Sequence, residues 1–236
     1  MKNSGLFQRS SLLLLVFFII SSCAKEDTTP PVLILINGNN VIQPLPPVKG
    51  GGVWKDPGYT ANDNKDGNIF NHVHVFGTVD PNTKGVYSLT YSVKDAAGNV
   101  STQTRKVTIY NDADSLNGTY SVIDSTISPT VATTQYAVNL TSDLYTDSLV
   151  HFDRFAGLNN DSTVTGVLNY FKKTLVVKSQ TVTFYPVIVT SPETHTFAGT
   201  GTDSVGLQVP TVIHFTFTDL NAGTGITSTH HTRWTK

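Results

Sequence analysis

From Tyr87 onward, apolar and polar side chains alternate with a period of two. Tyr87, Leu89, Tyr91 and Val93 fall on one side, and Ser88, Thr90, Ser92 and Lys94 on the other. Successive side chains of a β-strand point to opposite faces, so this stretch is predicted to be a strand with one buried face. The segment "DAAGN", Asp95 to Asn99, supplies turn chemistry: Gly98 and Asn99 tolerate positive φ, and Asp95 can accept from nearby amides. Val107 and Ile109 then resume the alternation, which predicts a hairpin. The same period returns after "LNGTYSV", in Val138 with Leu140, Leu149 and His151 against Val150 and Phe152, Leu175 with Val177, Val182 with Phe184, and Ile213, Phe215 and Phe217 against His214, Thr216 and Thr218. "LNNDST" and "AGTGTDS" read as polar turns between these runs. No convincing helical period is found. The expectation is an all-β chain, with about eight strands after residue 115 forming an antiparallel barrel or sandwich. "NDADS", Asn111 to Ser115, is polar and aperiodic, and it marks a predicted boundary between modules at 31–111 and 115–236.

The amino terminus breaks this pattern. Nine apolar residues, Leu12 to Ile20, follow Lys2 and Arg9 and precede Ser21 and Ser22. That is the layout of a secretory leader over residues 1–22, and the run is too short to span a bilayer as a helix, which takes roughly 20 residues. Cys23 comes next and is the sole cysteine, so an intramolecular disulfide is excluded. Ile20-Ser21-Ser22-Cys23 resembles the bacterial lipobox, which implies cleavage before Cys23 and covalent lipid on it. Several acyl chains, each contributing about 0.8 kcal/mol per buried CH₂, make a stable membrane anchor. Residues 23–30 are then a tether, and the charged Ala24-Lys25-Glu26-Asp27 resembles the tract that sends some lipoproteins to the outer face of the outer membrane; a solvated tether is its other reading.

Composition narrows the function. Loss of residues 1–22 removes two cations and moves the formal charge from −1 to −3, which leaves no electrostatic footprint for nucleic acid. Apolar residues make up 39% of the chain, enough for a packed core.

Four motifs carry a resemblance. "TPPVLILINGNN", "DPGYTANDNKDG", "TKGVYSLTYSVKDAAGN" and "RKVTIY", over about residues 29–110, resemble the bacterial surface immunoglobulin-like (Ig-like) domain also known from an insecticidal crystal protein. The resemblance implies a β-sandwich of about seven strands, used as a spacer or adhesion module. "QPLPPVKGGGVW", Gln43 to Trp54, departs from that family and predicts a lengthened loop. Beyond residue 115, "LNGTYSV", "FDRFAG", "FAGTGT" and "HHTRW" are similar to a lipocalin-like barrel module that ends many outer-membrane lipoproteins.

Candidate chemistry is sparse. Asp63 and Asp66 in "DNKDG", with Asp56, Asp80 or Asp95, offer oxygen ligands for Ca²⁺, although the spacing is not that of an EF-hand. The alternative is a turn whose carboxylates accept from backbone amides. His72 and His74 in "HVH" would share a strand face and offer two metal ligands, with no third nearby. Asp153 beside Arg154 reads as an ion pair or a satisfied turn. Neither a Gly-x-Ser-x-Gly turn nor a phosphate-binding loop is found, so catalysis and a resident cofactor are not expected. Trp54 and Trp234 are the two tryptophans, and either can stack on a sugar ring or pack in a core.

The function expected from all this is a surface-exposed lipoprotein of the outer membrane that presents a binding or adhesion module to a glycan or an envelope protein. The alternatives are a carrier of a small apolar ligand, whose cavity Phe152, Phe215 or Phe217 would line, and a hydrolase.

Overall fold

The computed structural model describes residues 25–169, 174–184, 193–203 and 212–236. The predicted leader and Cys23 lie outside the described residues.

Seven strands precede residue 111: β1 (Val32–Leu35), β2 (Asn40–Pro44), β3 (Tyr59–Asp63), β4 (Gly67–Asn68), β5 (His74–Phe76), β6 (Gly85–Lys94) and β7 (Val100–Tyr110). They form two sheets, ordered β1-β3-β4 and β2-β7-β6-β5, with β2 parallel to β7. Leu33, Leu35 and Ala61 of the first sheet meet Leu89, Tyr91 and Val93 of the second, so the inward phase of the alternation becomes the core of a sandwich.

Not every inward position is apolar. Arg105 on β7 is fully buried opposite Leu89. Its guanidinium pairs with Asp56 and donates to the carbonyls of Ile36 (2.6 Å), Gly58 (3.0 Å) and Gly38 (3.3 Å). Tyr91 donates to the other oxygen of Asp56 at 2.5 Å. The "DPGY" motif is therefore a turn built around one charge: Asp56 also accepts from the amide of Gly58, whose φ of +97° suits glycine.

Eight strands follow: β8 (Gly118–Ser128), β9 (Ala132–Ser142), β10 (Leu149–Phe155), β11 (Leu158–Asn169), β12 (Thr174–Phe184), β13 (Glu193–Asp203), β14 (Val212–Asn221) and β15 (Ile226–Thr235). Each pairs antiparallel with the next, and β15 pairs back with β8, so the sheet closes and leaves no edge. The open choice between barrel and sandwich resolves to a barrel. Two stretches read as turns lie within strands instead: "LNNDST" in β11 and "AGTGTD" in β13. In β13 the glycines alternate because they face bulky rings. A Cβ on Gly199 would fall 2.5 Å from the carbonyl oxygen of Thr216 and against Phe217, and one on Gly201 would meet the ring of Phe215. Backbone cannot swing aside as a side chain can. Gly199→Ala is accordingly expected to lower stability by about 1–3 kcal/mol in urea unfolding.

Between the two bodies, the segment read as aperiodic is a 3-10 helix, Asp112–Leu116, capped by Asn111. Asn111 accepts from the amides of Ala113 and Ser148 and donates to the carbonyls of Asp143 and Thr146, all at 2.8–2.9 Å. Lys84 bridges to Asp114 (2.7 Å) and Ser142 (2.8 Å). The lengthened loop adds two contacts, from the Asp147 amide to the Pro46 carbonyl (2.9 Å) and from Lys49 to the ring of Tyr145 (4.5 Å to its centroid). The joint is a hydrogen-bonded hinge block.

Its charges set a pH dependence. Burial pushes the carboxyls of Asp114 and Asp143 up, but hydrogen bonds from Lys84 and Ser142 to the first, and from His151, Tyr145 and Thr146 to the second, outweigh it and leave both below the ordinary value. Carboxyls lowered in the folded state stabilise it above their unfolded pKa, and that contribution fades as pH falls through about 4 and below. Thermal unfolding from pH 7 to pH 3 is expected to record a falling Tm, less steep in Asp143→Asn.

Candidate functional site

In the barrel, the inward-facing positions change from apolar to polar along the strands. Tyr120 and Val122 lead to Asp124 in β8, Phe215 and Phe217 to Asp219 in β14, Phe197 back to His195 in β13, and Trp234 and Thr232 back to His230 in β15. Tyr136 of β9 pairs opposite Val122, beside Asp124. All five polar groups lie toward the β8–β9 and β14–β15 turns, the barrel end opposite the joint. Aromatic rings fill the other half. Trp234 meets Phe152 and Phe215 at 5.7 Å, and Phe155 meets Phe197 at 5.1 Å and Phe217 at 4.7 Å between centroids. Phe152, Phe215 and Phe217, the rings a carrier would need around a cavity, pack on other rings.

The polar layer contains two carboxylate–imidazole pairs. His195 Nδ1 lies 2.6 and 2.8 Å from the oxygens of Asp219, and its Nε2 is 3.2 Å from Asn221 Nδ2 and 3.4 Å from Glu193. His230 Nδ1 lies 2.9 and 3.0 Å from the oxygens of Asp124. Tyr136 donates to Asp124 at 3.4 Å. The ring of His230 stacks on Phe217, with centroids 4.4 Å apart and planes 5° apart. His230 Nε2 is buried and has no hydrogen-bond partner among the described residues. Burial raises the carboxyl of Asp219, against the weaker opposing pull of His195. Burial, and then the charge of Asp124, raise the Tyr136 phenol, which stays protonated.

An imidazole that gives its Nδ1 proton to a carboxylate offers Nε2 as an acceptor when neutral and as a donor when charged. The layer therefore sets carboxylates and imidazole nitrogens side by side within one ring of strands. Half-buried Tyr136, Glu193 and Asn221 stand at its rim.

The residues singled out from sequence lie elsewhere. Trp234 is 1% exposed, and its indole N–H donates to Thr232 Oγ1 at 2.7 Å, so it offers no face to a surface ligand. Trp54 is half-buried and packs against both apolar clusters of the sandwich. Asp66 is exposed and accepts from the Ala96 amide at 2.7 Å, apart from Asp63. Asp63 instead comes together with Asp27 and Asp95, with carboxylate oxygens within 4.8 Å of one another. Asp56 and Asp80 serve Arg105 and the Asn82–Thr83 turn. His72 ends a 3-10 helix and His74 begins β5, so they share no strand face. Asp153 accepts from Asn139, at its amide (2.7 Å) and its side chain (2.6 Å), which gives the carboxylate a partner other than the expected Arg154. The sequence does carry a signal for the layer: Asp219 continues the phase of Ile213, Phe215 and Phe217, and a polar residue in the apolar phase of a strand is a candidate for the interior.

Residues 34–109 match the family described as "bacterial surface protein, Ig-like domain", in agreement with the motifs read above. Among solved structures, the chain is similar to a lipoprotein from Bacteroides thetaiotaomicron, with 18% identity, TM-score 0.33, and coverage of 87% of this chain and 100% of that one. It is similar to a Clostridium perfringens ZmpB structure containing a carbohydrate-binding module in complex with GlcNAc, with 19% identity, TM-score 0.27, and coverage of 75% of this chain and 30% of that one. A third is an auxiliary nutrient binding protein from Bacteroides thetaiotaomicron, with 12% identity, TM-score 0.23, and coverage of 85% and 91%. No curated protein matches the chain.

Proposed function

We propose that this is a non-enzymatic lipoprotein of the cell surface, anchored in the outer membrane through lipid on Cys23, whose Ig-like sandwich carries a barrel that binds glycans at its distal end. The observation that carries the reading is the polar layer, above all the buried His230 Nε2, which has no hydrogen-bond partner among the described residues. Sugar hydroxyls both donate and accept, so carboxylates and an imidazole nitrogen suit them. The hydrogen-bonded joint supports presentation: it keeps the distal mouth pointed away from the tethered end.

A glycan array probed with the soluble Cys23→Ser form tests the idea. Binding to a subset of glycans is expected, at least tenfold weaker for His230→Gln and unchanged for Trp54→Phe. Silence across the array would leave the protein as a scaffold alone, and binding indifferent to His230→Gln would move the site off the barrel mouth.

A further inference from the structure

A second place in the molecule carries unsatisfied charge, and it lies in the sandwich, where the tether begins. Asp63 closes β3 and is 8% exposed. Its Oδ1 accepts from the amides of Lys65 (2.8 Å) and Asp66 (2.9 Å). Its Oδ2 is buried and accepts no hydrogen bond from the described residues. Asp95, 5% exposed, is pinned by the amides of Gly98 (2.6 Å) and Asn99 (2.7 Å) and by the Asn99 side chain (2.7 Å). Asp27 comes from the tether. Its carbonyl takes a hydrogen bond from Asn99 Nδ2 at 3.1 Å, and its carboxylate joins those of Asp63 and Asp95 within 4.8 Å.

Three carboxylates this close repel one another, and among the described residues no lysine or arginine forms an ion pair with any of them. Leaving a buried carboxylate oxygen unpartnered is costly, so a feature of this kind calls for a cation. We propose that Asp27, Asp63 and Asp95 bind one calcium ion, and that the ion clamps the tether onto the sandwich. The donor set chooses the metal class. Every ligand is a hard oxygen, with neither imidazole nor thiolate, which selects against zinc and copper. Calcium bonds to oxygen at about 2.3–2.6 Å, so ligand atoms on opposite sides of one ion stand about 4.6–5.2 Å apart, and those at smaller angles stand closer. A span of 4.8 Å fits. Magnesium demands tighter octahedral geometry and keeps its waters, which suits three carboxylates from three separate segments less well.

The consequence is mechanical. Without the ion, residues 25–31 carry a negative charge into a negative site. With it, the chain leaves the sandwich at a fixed point, and the orientation of the whole rod above its anchor follows. The motifs fit this division of labour: in "ANDNKDG" and "DAAGN" the turn amides hold one oxygen of each aspartate and set the direction of the other. The inference is independent of what the barrel binds.

Calorimetric titration of chelator-stripped Cys23→Ser protein with CaCl₂ is the test, with thermal unfolding alongside. One site is expected, with Kd between about 10⁻⁴ and 10⁻³ M, in the range of extracellular calcium modules. Asp63→Asn should weaken it at least tenfold. Asp27→Asn lies outside the core, leaves the fold intact, and should weaken it to a similar degree; in the wild type, calcium should also slow hydrogen exchange in residues 25–31. No heat and no rise in Tm at 10 mM CaCl₂ would overturn the site. Calcium binding unchanged by Asp27→Asn would overturn the clamp, and an equal response to MgCl₂ would overturn the choice of calcium.

Discussion

Arg105→Met is expected to destabilise the Ig-like sandwich by about 3–5 kcal/mol, the usual loss when one partner of a buried ion pair is removed. The guanidinium is fully buried and serves five acceptors on three segments: Asp56, the Tyr91 hydroxyl, and the carbonyls of Ile36, Gly38 and Gly58. Methionine fills most of the volume but leaves those groups turned toward a methyl. Asp56 is only partly shielded, at 31% side-chain exposure, so water can recover some of its solvation, which places the effect toward the lower end of the range. Arg105→Lys should fail almost as badly, because an ammonium cannot fork between Asp56 and two carbonyls. Denaturant unfolding followed through Trp54 emission reads the change, and a loss under about 1 kcal/mol would mean that the network contributes specificity without stability.

Trp234→Ala is expected to cost the barrel about 3–5 kcal/mol, as for other truncations of buried tryptophan. The indole touches Tyr120, Phe152 and Phe215, and its N–H is satisfied by Thr232. Removal therefore opens a void between rings that cannot collapse, because β15 is paired along its length to β14 and β8. Trp234→Phe should recover most of the stability. If Trp234→Ala unfolded at the wild-type midpoint and yet lost glycan binding, the residue would belong to a binding surface after all.

Much of the architecture was legible in residue order. Alternation at Tyr87–Val93 and at Ile213–Phe217 places strands because a buried face must be apolar at every second position, and both stretches are strands. Where the reading missed, the cause was consistent. Glycine usually signals a turn, as in "AGTGTD", whereas Gly199 and Gly201 are small because Phe217 and Phe215 stand opposite them on the next strand. "HVH" has the alternation of a strand, yet a 3-10 turn ends at His72. The carboxylates nearest Asp63 come from positions 27 and 95, a grouping that no local spacing predicts.

That contrast has a general form here. Period, turn chemistry and the motifs of the sandwich are local properties, so one pass along the chain reveals the strands, the modules and the family resemblance. Convergence is not local. Arg105 with Asp56, His230 with Asp124 and Asp27 with Asp95 are brought together across 49, 106 and 68 positions by strand pairing and barrel closure, and no spacing in the chain encodes those distances. Burial is decided at the same level. Whether Trp234 faces a ligand or a ring depends on which side of a closed sheet it occupies, and closure is a property of eight strands together.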